Sequence, residues 1–204
     1  MALTGSSPPE GPPRTSVPRI SRRGSDAANP DQRRATIRRA EDRDYEAVCQ
    51  LYGDLQYAHA NNHPQIFAPP SQPELTKFEY RSIIRDMSVL ALVAERDGEI
   101  IAAAQAGLAS PAVEMRVRRI VHVTHLVTVP EARRQGHARA LMDAVAAWAR
   151  GMNADMIQLW VWEGNAEAES FYRAIGYRGT AKMLACLPQK QDGSARRADP
   201  DQRT

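Results

Sequence analysis

Between Val121 and Arg150 the chain passes from a β-branched run to an alanine-rich segment across a short arginine-rich loop. No other stretch narrows the possible folds as much. Val121-His-Val-Thr-His-Leu-Val-Thr-Val129 predicts a buried strand, and Pro130 ends its ladder because proline has no amide hydrogen to donate. The loop then reaches Gly136, which opens a helix over 136–150. Strand, basic loop, glycine and helix start make a phosphate-holding arrangement. The first turn of a helix carries unpaired N–H groups and partial positive charge, and a glycine there lets the backbone approach a bulky anion. The spacing Arg133-x-x-Gly136-x-Ala138 is neither the Gly-Lys-Ser/Thr of a P-loop nor the Gly-x-Gly-x-x-Gly of dinucleotide folds.

With 204 residues, 43% of them hydrophobic, the chain can bury one substantial core. No apolar run approaches the roughly 20 residues a membrane helix needs, and the N-terminal residues lack the apolar stretch of an export signal. Cys49 and Cys186 are far apart and in no Cys-x-x-Cys pair, which suits a reducing cytoplasm rather than a zinc ribbon. The formal net charge of +3 is unevenly placed, with Arg14, Arg19, Arg22, Arg23, Arg33, Arg34, Arg38 and Arg39 all near the start. Residues 1–34, rich in Pro, Arg and Ser, are expected to form a disordered extension, and 189–204 a disordered tail. That leaves 35–188 as the folded domain. A basic arm can touch acidic partners, but a solvated extension is the expectation here, with neither nucleic acid nor membrane as partner.

Along the domain, Ala35–Arg38 suggests a first strand, and Asp42 and Asp44 favour a helix start. Tyr45, Val48, Cys49, Tyr52, Leu55, Gln56 and His59 follow a helical stripe. Residues 61–73, with several prolines, form a loop, and a second helix is expected over Glu74–Asp86, started by Pro73. Ser88–Arg96 and Glu99–Leu108 read as strands joined at Asp97-Gly98, a strong hairpin signal. After the phosphate-loop helix come a strand over Met156–Trp162, a helix over Ala166–Ala174 and a last strand over Tyr177–Leu187. The order β-α-α-β-β-β-α-β-α-β implies a mixed α/β sheet with helices on both faces.

The second informative stretch is Asn165-Ala-Glu-Ala-Glu-Ser-Phe-Tyr-Arg-Ala-Ile-Gly-Tyr177. Asn165 suits an N-cap and Gly176 a C-cap of a short helix, while Ala168, Phe171 and Ile175 stripe one face. Together, Arg133-x-x-Gly136-x-Ala138 and this N-x-x-A-x-x-F-Y-x-x-x-G-Y pattern resemble the two signature motifs of the GCN5-related N-acetyltransferases (GNATs), in the same order and at the family's separation. The resemblance covers about residues 35–188. It implies the GNAT fold, a mixed, mostly antiparallel sheet splayed between its middle strands, and acetyl-CoA as co-substrate. By the resemblance, Val127, Thr128 and Val129 offer backbone groups to the pantetheine as an added strand would. Arg133, Arg134, Gln135, Gly136, His137, Ala138 and Arg139 hold the pyrophosphate, with Ala138 where a second glycine is commoner, and Asn165 touches the pantetheine across the cleft.

Acetyl transfer requires an amine of pKa about 8 to 10 to shed a proton and a departing thiolate to gain one. Tyr172 matches the family tyrosine near the CoA sulfur, and a phenol can give its proton to a thiolate of similar basicity. Histone-type relatives carry a glutamate fourteen residues before the loop glycine. Here that count reaches His122, an imidazole suited to accept a proton directly or through a water. His125 is the second candidate, on the same face only if a bulge intervenes. The glutamate that ribosomal-protein N-terminal acetylases carry before the second motif is replaced by Trp160. The pairs His59/His63 and His122/His125 have metal-like spacing, but no cysteine or acidic cluster completes either, so no metal is expected. The reading is an N-acetyltransferase acting on a primary amine of a small molecule or peptide, as a homodimer. Its alternative is a non-catalytic CoA-binding module. The acceptor should lie over the helix pair and the loop His59–Pro73.

Overall fold

The computed structural model describes residues 35–111 and 114–186. Both segments expected to be disordered, 1–34 and 189–204, lie outside the described residues. Five strands, β1 (Thr36–Arg39), β2 (Val89–Arg96), β3 (Glu99–Ala109), β4 (Ile120–Thr128) and β5 (Met156–Leu159), form one sheet in sequence order. Four helices accompany them: α1 (Tyr45–Asn62), α2 (Lys77–Arg85), α3 (His137–Gly151) and α4 (Ala166–Ala174). All strand pairs are antiparallel except β4 with β5.

The β2–β3 hairpin turns at Asp97 and Gly98, with φ of 54° and 83°. Two successive left-handed residues match the twist of a tight hairpin, which explains why an Asp-Gly pair stands there. Both strands are buried on both faces. Leu90, Leu92 and Ala94 with Ala102, Ala104 and Ala106 pack toward Leu141, Met142 and Val145 of α3. Ala91, Val93 and Ala103 pack toward Val48, Leu51 and Tyr52 of α1 and Tyr80 of α2. The alanines at the centre of β3 let helices approach closely on both sides, and a Leu or Val buried against them contributes about 1.5–3 kcal/mol.

Arg38 ties β1 to the start of α1. Its guanidinium donates to both Asp44 carboxylate oxygens at 2.6 and 2.8 Å and to Glu95 at 2.7 Å. Asp44 also accepts the Glu41 amide at 2.8 Å, closing one 3-10 turn over Asp42–Asp44 before α1 begins. Burial alone would raise the Asp44 pKa, but the Arg38 bonds and the Glu41 amide outweigh it and hold the carboxyl below its usual value.

Three expectations are corrected. The second helix starts at Lys77 rather than Glu74, because Thr76 caps it: its hydroxyl accepts the Glu79 amide, and the Glu79 carboxylate accepts the Thr76 amide at 2.8 Å. Glu74 and Leu75 are thereby kept out of the helix. β5 ends at Leu159, short of Trp162, because its partner β4 bulges at Thr124 and turns away. Nor does a strand form after α4. Through Cys186 the chain is irregular, with Met183 and Leu184 exposed side by side where a half-buried strand would alternate.

Candidate active site

The bulge in β4 creates the site. Gln105 pairs with His125 and Ala106 with Val123, leaving Thr124 as the extra residue. β5 accompanies β4 only over Ile120–Val123, whereas β3 stays paired to Thr128. From the bulge onward, the β5-facing edge of β4 has no strand partner among the described residues, and a cleft opens there.

Which backbone groups face the cleft follows from register. The Val129 amide donates to the Ile101 carbonyl at 2.9 Å and the Val129 carbonyl accepts the Ala132 amide, so Val129 has no backbone group to offer a ligand. Backbone direction alternates along an antiparallel strand, so Val127 also faces β3 while Leu126 and Thr128 face outward. The donor Arg133 Nε reaches the Thr128 carbonyl at 3.3 Å, in agreement with that parity. Of the three positions expected from the sequence, Thr128 turns its backbone groups outward, as Leu126 does, while those of Val127 and Val129 are taken up by β3 and the following turn.

The loop after β4 bends through Arg134 at φ 61° and Gly136 at φ 89°. Gly136 is the N-cap of α3 and supplies no side-chain acceptor. The first helical bond runs from the Ala140 amide to the Gly136 carbonyl, so the amides of His137, Ala138 and Arg139 have no partner within the helix. A Cβ built on Gly136 would meet nothing within 4 Å. Open space, free amides and the positive end of a fifteen-residue helix coincide at this point. The side chains divide the work. Arg134 and Arg139 are exposed and make no ion pair among the described residues. Gln135 instead staples the loop, donating to the Glu131 carbonyl at 2.8 Å and accepting from Arg96 at 2.9 Å. The His137 ring is buried, so that residue can offer its amide but not its imidazole.

On the far side of the cleft, Asn165 Oδ1 accepts the Ala168 amide at 3.1 Å, leaving only its amide nitrogen for a ligand. α4 ends in a left-handed Gly176, with Tyr177 N–H on the Tyr172 carbonyl and Gly176 N–H on that of Arg173. This termination brings Tyr177 against Tyr172, their rings 5.7 Å apart. Burial, with Tyr177 beside it, pushes the Tyr172 phenol up to about 12 and keeps it protonated at neutral pH.

The bulge also settles the face of the two β4 histidines. Their partners Gly107 and Gln105 lie two apart on β3, so His122 and His125 share the face covered by α1 and α2. Burial lowers the His122 pKa, and its buried Nδ1 has no hydrogen-bond partner. His125 stacks on Tyr52 at 4.1 Å and contacts Glu74 at 2.7 Å. Sequence reading missed Glu74, and no local signal marks it. Among the described residues, no three His, Cys, Asp or Glu gather as a metal would require, and no helix is long and apolar enough to cross a membrane.

The model of the acetyltransferase (GNAT) family matches residues 45–177, well over half of the chain. This chain belongs to the GNAT acetyltransferase family. Among curated proteins, this GNAT member is 39% identical over 56 residues to the N-terminal acetyltransferase B complex catalytic subunit naa20 of Schizosaccharomyces pombe. That match spans only 28% of this chain and 31% of the relative. Among solved structures, a point mutant of the BH1408 protein from Bacillus halodurans is 25% identical at a TM-score of 0.70, covering 76% of this chain and 99% of that one. The aminoglycoside N-acetyltransferase AAC(6')-Iy, solved with CoA, shares the fold at a TM-score of 0.59 and 17% identity, covering 76% of this chain and 100% of that one.

Proposed function

We propose that this GNAT family member transfers the acetyl group of acetyl-CoA to a primary amine, by direct attack of the amine on the thioester in a ternary complex. The observation that carries the reading is the uncapped N-terminus of α3, opening beside the unpaired edge of β4. The amides of His137, Ala138 and Arg139, with the Arg134 and Arg139 guanidiniums, suit a diphosphate. Leu126 and Thr128 suit the amides of a pantetheine arm laid along β4.

Tyr172 is the acid for the departing thiolate. A phenol pushed up to about 12 stays protonated until a strong base forms beside it. The proton lost by the amine goes to an imidazole of β4, His122 or His125, both on the acceptor side of the sheet. The named activities of naa20 and AAC(6')-Iy make peptide α-amines and amino sugars the first acceptors to try.

A screen of peptides, polyamines and amino sugars, read by free thiol release from acetyl-CoA, tests the proposal. The expected result is thiol release that depends on one acceptor class and yields the acetylated amine by mass. Saturable acetyl-CoA binding without release on any amine would instead favour a CoA-binding module.

A further inference from the structure

On the α1 side of the sheet, four distant parts of the chain meet around one imidazole. His125 Nε2 lies 2.7 Å from Glu74 Oε1, and its ring stacks on Tyr52 at 4.1 Å and 14°. Its Nδ1 lies 3.1 Å from Thr124 Oγ1, and that hydroxyl is 3.3 Å from the Gln105 carbonyl. The bulge makes this possible. Thr124, the unpaired extra residue, is exposed beside the cleft, while His125 is turned inward.

Counting protons shows what the arrangement can do. A carboxylate only accepts, so Nε2 carries the hydrogen toward Glu74. Thr124 has one hydroxyl proton and two acceptors within reach, the Gln105 carbonyl and His125 Nδ1. With a neutral ring, the hydroxyl donates to Nδ1. With an imidazolium, Nδ1–H donates to Thr124, whose proton swings to Gln105. The ring can therefore gain a proton at Nδ1 while both ring nitrogens and Thr124 Oγ1 keep a partner.

We propose that Thr124, His125 and Glu74 form the proton relay that accepts the proton of the acceptor amine, a role that rests on the amine-acetylation reading above. The acceptor arrives as an ammonium ion, and before attack one of its protons passes to Thr124 Oγ1 while the hydroxyl's own proton moves to His125 Nδ1. The imidazolium then loses that proton to solvent. The freed amine nitrogen bonds to the acetyl carbon as the C–S bond breaks, the thiolate takes the Tyr172 proton, and the surplus proton on the new amide nitrogen restores the phenol through solvent. Thr124 and His125 carry the proton; Glu74 is a positioning residue that fixes the tautomer and stabilises the imidazolium.

The surroundings agree. Glu74 Oε2 is buried without a partner, and His125 is the only basic group within salt-bridge distance of Glu74 among the described residues. Tyr52, Cys49 and His59 of α1 face Glu74, Tyr80 of α2 borders Tyr52, and His122 shares the strand. Burial favours the neutral form of each, pushing the phenols and the thiol up and the imidazoles down. Among the described residues, neither His125 nor Glu74 has another ion-pair partner.

The test compares two small acceptors at pH about 7.5: ethylamine, protonated there, and methoxyamine, largely unprotonated. Glu74→Gln and Thr124→Val should each lower kcat/KM for ethylamine about 100-fold, the usual scale of general-base catalysis, and by at least about fivefold less for methoxyamine. Thr124→Ser should recover most of the loss. Acetyl-CoA affinity should hold throughout, and the nitrogen NMR shifts of the His125 ring should move in Glu74→Gln. Equal losses on both acceptors, or no rescue by serine, would overturn the relay while leaving acetyl transfer intact. Failure of the wild-type chain to turn over any amine would overturn both readings, and an unmoved His125 signal would overturn the relay whatever the activity.

Discussion

Two glycines with the same open surroundings should respond to alanine with opposite sign. A Cβ on Gly53 or on Gly136 would meet nothing within 4 Å, so neither substitution clashes. Gly53 lies inside α1, where alanine is the better helix former by about 0.5–1 kcal/mol. Gly136 holds φ 89°, where an L side chain costs about 1–2 kcal/mol. For a domain of this size each kcal/mol moves Tm by about 2–4 °C. Gly53→Ala should therefore raise Tm by about 1–4 °C and Gly136→Ala lower it by about 2–8 °C, measured by circular dichroism melting. The two also separate in ligand binding. The space above Gly136 is where the diphosphate belongs, so its alanine variant should bind acetyl-CoA more weakly, and Gly136→Glu, adding bulk and negative charge, should bind none. Gly53→Ala should bind like the wild type. A Gly136→Ala variant as stable as Gly53→Ala would refute the strain argument. Unchanged acetyl-CoA affinity in Gly136→Glu would refute the phosphate-loop assignment.

Tyr172→Phe should lower kcat by about 100-fold with little change in acetyl-CoA affinity, and equal turnover would remove the phenol as acid. Because that phenol is pushed up to about 12, wild-type turnover should hold through the alkaline range in which an ordinary tyrosine ionises. The Asp44 carboxyl is held below its unfolded value, so its stabilising contribution is complete above that value and lost as pH falls through the folded one. Acid melts should show this loss in the wild type and not in Asp44→Ala, which should also cost about 1.5–3 kcal/mol at neutral pH by removing the charged hydrogen bonds that join Arg38 to the start of α1, leaving Arg38 with the Glu95 carboxylate. His122→Ala removes a ring whose Nδ1 has no partner, so turnover should fall less than in His125→Ala. A steeper loss at low pH in the His122 variant would return the proton-accepting role to it.

Much of the architecture was legible because it rests on local backbone requirements. Asp97-Gly98, Gly136, and the Asn165 and Gly176 ends of α4 each mark a turn or helix boundary, and each does so in the structure. The β4 backbone was less legible. That Leu126 and Thr128, not Val127 and Val129, face the cleft depends on pairing parity with β3, which neither hydropathy nor motif spacing specifies. Glu74 was hidden for a related reason. Its place beside His125 needs the Thr76–Glu79 cap to release it from α2 and the Thr124 bulge to turn His125 inward. The strand expected over Tyr177–Leu187 fails through Cys186 because β-forming residues alone do not supply a pairing edge.

The central claim is that the diphosphate of acetyl-CoA is held by the first turn of α3 and by Arg134 and Arg139. Calorimetric titration of the full chain with acetyl-CoA, at low and raised salt and alongside S-acetyl-pantetheine, tests it most directly. The account predicts saturable binding of acetyl-CoA that weakens as salt rises, and much weaker binding of the ligand without phosphates. Acetyl-pantetheine binding as tightly as acetyl-CoA, or no heat with either, would contradict it.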